Sequence, residues 1–143
     1  MKKSVSILLV LLITAVALVG CGGGGYKDGT YKASFKDFDE HDWKAFVEIT
    51  ITDSKISDVV FDYVNEAGEL KSEDEEYNAL MKEKSGTSPE EFSPALAEDL
   101  IEKQDVKKVD EITGATTSVE NFKKLAEAAL KNAKAGKTED AIL

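Results

Sequence analysis

The residues best suited to chemistry stand together at positions 110–117, which read Asp-Glu-Ile-Thr-Gly-Ala-Thr-Thr. Thr117 and Glu120 have the spacing of a capping box, so we expect the last helix to begin at Thr117. Thr116 would then lie one residue outside that helix. Unpaired N–H groups and the positive end of the helix dipole favour an anion such as a phosphate at that position.

The segment Asp110-x-x-Thr113-Gly114-Ala115-Thr116 resembles the flavinylation motif of the FMN-binding domain family: Asp, two free positions, Ser or Thr, Gly, Ala, then Ser or Thr. That family includes the FMN-binding subunits of the sodium-translocating NADH:quinone reductase and of the Rnf complex, and a group of small bacterial lipoproteins. Every fixed position matches. Residues 43–47 and 70–81 also resemble the lipoprotein members, so the likeness spans the whole mature chain.

This resemblance implies that Thr116 is joined to FMN through a phosphodiester bond. A separate, magnesium-dependent flavin transferase that uses FAD would make the bond. As a bare pattern, Thr-Gly-Ala-Thr before a helix is more often only a turn and a cap. The whole-chain likeness and the export signal described below favour the flavin.

Seven further residues complete the predicted cofactor site. They are Thr113, Gly114, Ala115, Thr117 and Asp110 around the motif, and Trp43 and His41 earlier in the chain. We expect Gly114 and Ala115 to leave room for the ligand, and Trp43 and His41 to line the isoalloxazine ring. Asp110 would either help to place the metal of the transferase or bond the loop backbone. The simpler alternatives are a turn or cap role for the hydroxyl residues, Ser118 included, and a core or rim position for Trp43.

The N-terminal segment has the composition of a signal peptide. Lys2 and Lys3 precede an apolar run at residues 7–19 that is too short and wrongly flanked for a spanning helix. Residues 18–21, Leu-Val-Gly-Cys, resemble the bacterial lipobox. The resemblance implies removal of residues 1–20 and a diacylglyceryl group on Cys21. The alternative is an ordinary secretory peptide with a stray cysteine.

Lipid on Cys21 would hold the protein at the extracytoplasmic face of the cell membrane, because acyl chains bury many methylene groups. Residues 21–25 would then be the lipidated cysteine and a flexible glycine tether. Residues 26–143 would form a single FMN-binding domain. The domain is therefore expected to be anchored to the membrane, not to span it.

The chain is strongly acidic. Removal of residues 1–20 takes away two lysines and changes the formal charge from −10 to −12. All 18 basic residues are lysine, so the planar fork with which arginine grips phosphates is absent. Nucleic acid and anionic lipid headgroups are poor partners for such a surface. Free FMN, a dianion, would also be repelled and lost, whereas a covalent tether prevents dissociation.

Once Cys21 carries lipid, the folded part has no thiol and a single histidine, His41. Disulfides, iron–sulfur clusters and Cys/His zinc sites are thereby excluded. The acidic segment around His41 fails the EF-hand pattern and predicts a solvated turn. No metal site and no catalytic residue are predicted, so electrons would have to reside on an organic cofactor.

Alternation with a period of two predicts strands in the first half of the chain. Residues 26–38 suit a first strand, and residues 46–52 and 56–64 suit an antiparallel hairpin turned at residues 53–55. Two sets of apolar residues are each expected on one buried face. They are Val47, Ile49 and Ile51, and Val59, Phe61 and Tyr63.

The period changes to 3.6 from residue 72, which predicts helices. Ser72 and Glu75 form a second capping-box pattern, before an apolar stripe of Tyr77, Leu80 and Met81 that ends at Gly86. Pro94 is expected to interrupt the next helix, which would restart with Ser93 as its cap. Leu96, Leu100 and Ile101 would then face the core.

The last helix is expected over residues 117–134. Its apolar residues at helical spacing are Val119, Phe122, Leu125, Ala126, Ala129, Leu130 and Ala133. We expect Val109 to enter the sheet, and the tail from residue 135 either to add a short edge strand or to fray. The predicted fold class is α+β: one antiparallel sheet covered by helices.

With the resemblance, these features predict a lipid-anchored flavoprotein that relays electrons outward in extracellular electron transfer. Its donor would be a quinol-linked or NADH-linked membrane module. Such a protein is an electron carrier and a substrate of the flavin transferase more than a stand-alone enzyme.

Other functions are compatible with the sequence. The main alternative is an exported ligand-binding or adhesion lipoprotein without flavin. Another is an extracytoplasmic reductase component with one dedicated partner. Residues 13–20 also resemble the apolar octapeptides that some firmicutes release as pheromones.

Overall fold

The computed structural model describes residues 25–143. The strands are β1 (Gly29–Ser34), β2 (Lys44–Thr52), β3 (Lys55–Val64) and β4 (Ala141–Ile142), and the α-helices are α1 (Glu75–Ser85), α2 (Pro89–Lys103) and α3 (Thr116–Ala135). Two short 3-10 turns occupy Lys71–Glu73 and Val106–Lys108. The predicted signal peptide and Cys21 lie outside the described residues. Within residues 25–143, none of the helices is both long enough and apolar enough to cross a membrane.

The strands form one sheet in the order β3-β2-β1-β4. β2 pairs antiparallel with both β1 and β3, and β4 pairs parallel with β1 at the edge. Every apolar residue assigned to the buried faces of β2 and β3 is buried. The helices cover that face, which confirms the predicted α+β fold.

A tight turn joins β2 to β3, as predicted. Asp53 and Ser54 have φ angles of 51° and 62°, the positive values that a two-residue type I′ hairpin requires. The carboxylate of Asp28 accepts hydrogen bonds from both of their N–H groups, at 3.1 and 2.9 Å. This side chain therefore stabilises a backbone conformation that is otherwise unfavourable for residues other than glycine.

β1 is shorter than the predicted strand at residues 26–38. The carboxylate of Asp39 accepts from the N–H groups of His41 and Trp43, at 2.8 and 3.0 Å. These bonds close the acidic segment into the exposed turn that the sequence predicts. The tail adds the edge strand β4, which is one of the two outcomes that the sequence leaves open.

Helix α1 does not begin with the predicted capping box. Its N-cap is Asp74, whose carboxylate accepts from the N–H of Tyr77, and Ser72 belongs to the preceding 3-10 turn. The predicted core stripe is also wrong in part, because Leu80 is 48% exposed while Tyr77 and Met81 are only half-buried. The predicted C-cap at Gly86 is confirmed by its φ of 79°.

Pro94 does not interrupt α2, so the predicted break and restart are wrong. Pro94 is exposed, and water can reach the carbonyl group of Glu90 that has lost its intrahelical donor. The opposite face holds the helix on the sheet, because Phe92, Leu96 and Leu100 are each at most 2% exposed. Packing on one face therefore outweighs the local effect of the proline.

The predicted core face of α3 is confirmed throughout. All seven of its apolar residues are buried against the sheet, and Phe122 meets the ring of Phe61 edge to face at 5.1 Å. Val109, in contrast, does not enter the sheet as predicted. It is buried at 3% exposure at the end of the second 3-10 turn, where it joins the core as a connector residue.

The contrast between Leu125 and Leu80 gives a test of this core. Leu125→Ala should lower the free energy of unfolding by about 2–5 kcal/mol, because Leu125 is fully buried and its loss leaves a cavity. The matched change Leu80→Ala should shift stability by no more than about 0.5 kcal/mol. Urea unfolding of both variants measures the difference, and similar losses would contradict the observed orientation of α1.

Candidate functional site

A cleft of about 580 Å³ lies where β3, the 3-10 turn before α1 and the N-terminus of α3 meet. This volume falls within the range of about 300–1,000 Å³ that is typical of small-molecule sites. The residues that line it are Asp39, Glu40, His41, Tyr63, Lys71, Tyr77, Met81, Gly114, Ala115, Thr116, Thr117, Ser118 and Asn121. The cleft thus contains the last three residues of the predicted motif, Gly114, Ala115 and Thr116.

A β-turn leads into the N-terminus of α3. The N–H of Ala115 donates to the carbonyl of Ile112 at 3.0 Å, and Gly114 occupies the turn with a φ of +88°. A methyl group on Gly114 would overlap the carbonyl oxygen of Ser85, at the end of α1. Gly114 and Ala115 line the cleft, but the missing side chain of Gly114 does not leave the room for a ligand that the sequence predicts. The space at Gly114 is taken by the backbone of Ser85, and Ala115 is 3% exposed in the core.

Helix α3 begins at Thr116, one residue earlier than predicted. Ala115 is its N-cap and makes no side-chain capping bond, while its carbonyl accepts from Val119 at 2.9 Å. The predicted capping box at Thr117 is wrong, because burial of Ala115 decides where the first turn starts. Thr116 is thus the first helical residue. The N–H groups of residues 116–118 have no intrahelical acceptor and remain available at the cleft.

The hydroxyl groups of this turn differ in their surroundings. Thr116 and Thr117 are exposed and line the cleft, whereas Thr113 is exposed but is not among the lining residues. The hydroxyl of Ser118 accepts a hydrogen bond from the phenol of Tyr63 at 3.0 Å. Among the described residues, Thr116 and Thr117 are consequently the two aliphatic hydroxyl groups on the cleft wall that have no hydrogen-bond partner in the protein.

Tyr63 links the sheet to α3. The residue is 4% exposed, and its phenol oxygen also accepts a hydrogen bond from the side-chain amide of Asn121 at 3.2 Å. Burial raises the pKa of the Tyr63 phenol, and the bonds to Ser118 and Asn121 partly oppose that rise. The phenol therefore serves as a neutral hydrogen-bonding group in the cleft wall.

Lys71 is a buried cation in the same wall. The residue is 7% exposed, and its Nζ lies 4.3, 4.8 and 5.6 Å from the ring centres of Tyr77, Tyr63 and Trp43. These distances are those of cation–π interactions. No carboxylate of the described chain lies within 4 Å of this ammonium group. Within residues 25–143 it is the one lysine that lines the cleft.

Sequence reasoning missed Lys71. Its neighbours give no periodic pattern that marks a lysine as buried. Its three aromatic contacts come from three separate parts of the chain: the residue before β2, strand β3 and helix α1. A lysine in an acidic segment ordinarily indicates a solvated side chain. Only the folded chain brings the three rings together.

The turn that carries Lys71 is held by a buried polar network. The carboxylate of Asp62, 5% exposed, accepts hydrogen bonds from the N–H and the hydroxyl of Ser72. The side chain of Asn78 donates to the carbonyl of Ser72 at 2.8 Å. The hydroxyl of Ser72, predicted as a helix cap, instead fixes this turn against β3.

The remaining predicted site residues lie in different places. The carboxylate of Asp110 is 2.7 Å from Nζ of Lys103, and its N–H donates to Asp99, so it faces α2 and does not line the cleft. Trp43 lines a neighbouring groove and reaches the cleft only through its contact with Lys71. His41 does line the cleft, with an exposed side chain 3.6 Å from Glu40.

No metal centre is visible in the described part of the chain. Residues 25–143 bring together no group of three or more histidine, cysteine, aspartate or glutamate side chains that could hold an ion.

A profile of the FMN-binding domain family matches residues 42–131, which include the whole motif and most of the cleft. The 15 kDa lipoprotein of Treponema pallidum (strain Nichols) is 40% identical over 131 residues. The alignment covers 92% of this chain and 93% of that protein.

Two solved structures have the same fold. A crystal structure of a Clostridium perfringens protein matches with a TM-score of 0.79 and 44% identity, covering 82% of this chain and 97% of that one. A solution NMR structure of a Clostridium thermocellum protein matches with a TM-score of 0.50 and 30% identity, covering 75% and 92% respectively.

The contact between Gly114 and Ser85 can be tested with a matched pair of glycines. Gly68 has a φ of +83°, close to that of Gly114, but no atom near its Cβ position. Gly68→Ala should therefore cost only the backbone strain of about 1–2 kcal/mol. Gly114→Ala should lose clearly more stability, because the methyl group also displaces the end of α1. Thermal unfolding compares the two, and equal losses would contradict the close approach.

Proposed function

The chain belongs to the FMN-binding domain family, and we propose that it is a membrane-anchored flavoprotein that carries FMN covalently on Thr116 and relays electrons. The observation that carries this proposal is the position of Thr116. Its side chain is exposed in the cleft, at the first position of α3 and next to free N–H groups. Bound FMN would supply the one-electron and two-electron chemistry of its isoalloxazine ring.

The residues of the cleft suit this cofactor. The N-terminus of α3 offers backbone donors and the positive end of a helix dipole to a phosphodiester. Tyr63, Tyr77 and Met81 offer apolar and aromatic surface to a flat ring. Lys71 supplies positive charge within the cleft of an otherwise acidic protein.

Attachment would use the hydroxyl of Thr116 in a phosphoryl-transfer reaction made by a separate flavin transferase with magnesium and FAD. The Thr116 oxygen would lose its proton and bond to the phosphorus of the FMN half of FAD. The pyrophosphate bond would break and AMP would leave. The geometry alone leaves Thr116 and Thr117 as acceptors, and the position in the motif selects Thr116.

The protein would lie on the extracytoplasmic face of the membrane, held by lipid on Cys21. The lipobox-like residues 18–21 and the lipoprotein relative support this location. The domain would receive electrons from a quinol-linked or NADH-linked donor module and pass them to an acceptor farther out. The cleft is open, so a ring bound there would be accessible to partner proteins.

Intact mass spectrometry of protein coexpressed with a flavin transferase tests the attachment site. Wild-type protein and Thr116→Ser should carry one FMN adduct, because both retain a hydroxyl at the motif position. Thr116→Ala should lose the adduct and the yellow colour completely. Thr117→Ala is the matched control, since it removes the neighbouring exposed hydroxyl and should keep the flavin.

An adduct that persists in Thr116→Ala and disappears in Thr117→Ala would move the site by one residue. A wild-type protein that stays colourless beside an active transferase would instead favour an exported binding lipoprotein without flavin.

The anchor has its own test. Cys21→Ala should abolish incorporation of labelled fatty acid, because no thiol remains for acylation. Flavin attachment should be unaffected, since residues 21–25 precede the folded domain. Continued labelling of Cys21→Ala would contradict lipidation at this residue.

A further inference from the structure

We propose that Lys71 sets the electron affinity of the bound flavin, because its ammonium group faces the negative charge that the isoalloxazine ring gains on reduction. The inference rests on the proposed attachment of FMN at Thr116, and it adds a role for a residue outside the attachment motif.

The first observation is that Lys71 is buried without an anionic partner in the described chain. At 7% exposure it gives up most of its hydration, a loss that buried ammonium groups normally recover by pairing with a carboxylate. Here the described chain supplies three aromatic rings and no carboxylate within 4 Å. The rings interact favourably with the charge but accept no conventional hydrogen bond from it. An anionic group that enters the cleft would accept the hydrogen bonds that this ammonium group lacks.

The second observation is the position of Lys71 relative to α3. Its Nζ lies 4.8 Å from the centre of the Tyr63 ring, and the phenol oxygen of the same ring is 3.0 Å from Ser118 Oγ. The body of one tyrosine therefore separates the ammonium group from the first turn of the helix. A phosphate bonded to Thr116 belongs at that turn. Of a cofactor attached there, the ring system would be the part that reaches Lys71.

The charge on the ring changes with its redox state. Uptake of two electrons and one proton leaves a reduced flavin with one negative charge on the N1 side of the ring. A fixed cation near that charge stabilises the reduced form more than the oxidised form, and so raises the midpoint potential. Asp39 and Glu40 line the same cleft and act in the opposite direction. Lys71 would offset the effect of these two carboxylates on the midpoint potential.

The position of Lys71 is well defined. The bonds of Asp62 and Asn78 to Ser72 hold its turn, and the three rings confine its side chain. Asp62 therefore acts indirectly, because it holds the 3-10 turn that positions Lys71. A cation held in this way interacts with the ring without first losing conformational freedom.

Spectroelectrochemical titration of the flavin-loaded protein tests the proposal. Lys71→Met removes the charge and keeps a long apolar side chain. In this variant the equilibrium constant for reduction of the flavin should fall at least tenfold. For a two-electron couple this shifts the midpoint potential by about 30 mV to more negative values. Lys71→Arg should restore most of the wild-type value. Lys71→Gln gives the same test if the methionine variant does not fold.

Lys44 provides the matched control. Its Nζ lies 4.8 Å from the ring centre of Phe38, so Lys44→Met loses the same charge and a similar cation–π contact, but outside the cleft. The midpoint potential of the flavin in Lys44→Met should equal that in the wild-type protein. An unchanged potential in Lys71→Met and Lys71→Gln, or an equal shift in Lys44→Met, would overturn the proposal.

Intact mass measured before each titration separates the two hypotheses. A wild-type protein without an FMN adduct overturns the attachment and this role of Lys71 together. A fully flavinylated Lys71→Met protein with the wild-type potential overturns only the role of Lys71.

Discussion

The close approach of Gly114 to the backbone of Ser85 is the constraint on which the rest of the site depends. It joins the end of α1 to the start of α3, and it requires both the positive φ and the missing side chain of glycine. With this contact made, Ala115 enters the core and its carbonyl begins the helix at Thr116. The exposed hydroxyl and the free N–H groups beside it follow from that starting point.

The cleft has an electrostatic character that the composition conceals. The formal charge of −10 predicts a surface that repels a phosphate and a reduced flavin. The fold places one ammonium group, that of Lys71, in the wall of the cleft, where low exposure limits screening by water. The helix N-terminus adds a second source of positive potential. An acidic protein without arginine thereby acquires a local site that suits an anion.

Local sequence rules failed where tertiary contacts, and not the neighbouring residues, decided where a helix begins or continues. Ser72 and Thr117 both begin capping-box patterns, yet neither caps a helix. Ser72 bonds to the buried carboxylate of Asp62, which gains more from a hydrogen bond than an exposed helix end would. Thr117 lies within a helix whose start is set by Ala115. The predicted break at Pro94 is wrong for a related reason. Burial of one face of α2 outweighs the single backbone hydrogen bond that is missing on the exposed face.

The sequence by itself determined the α+β class, the hairpin that turns from Asp53, the core face of α3 and the motif that ends at Thr116. These features depend on local periodicity, turn chemistry and spacing, which are written in consecutive residues. Only the tertiary structure decided that Asp110 faces α2, that Leu80 is exposed and that Lys71 is buried among three rings. Each of those outcomes depends on residues far apart in the chain, and packing of the whole core chooses between arrangements that are locally equivalent.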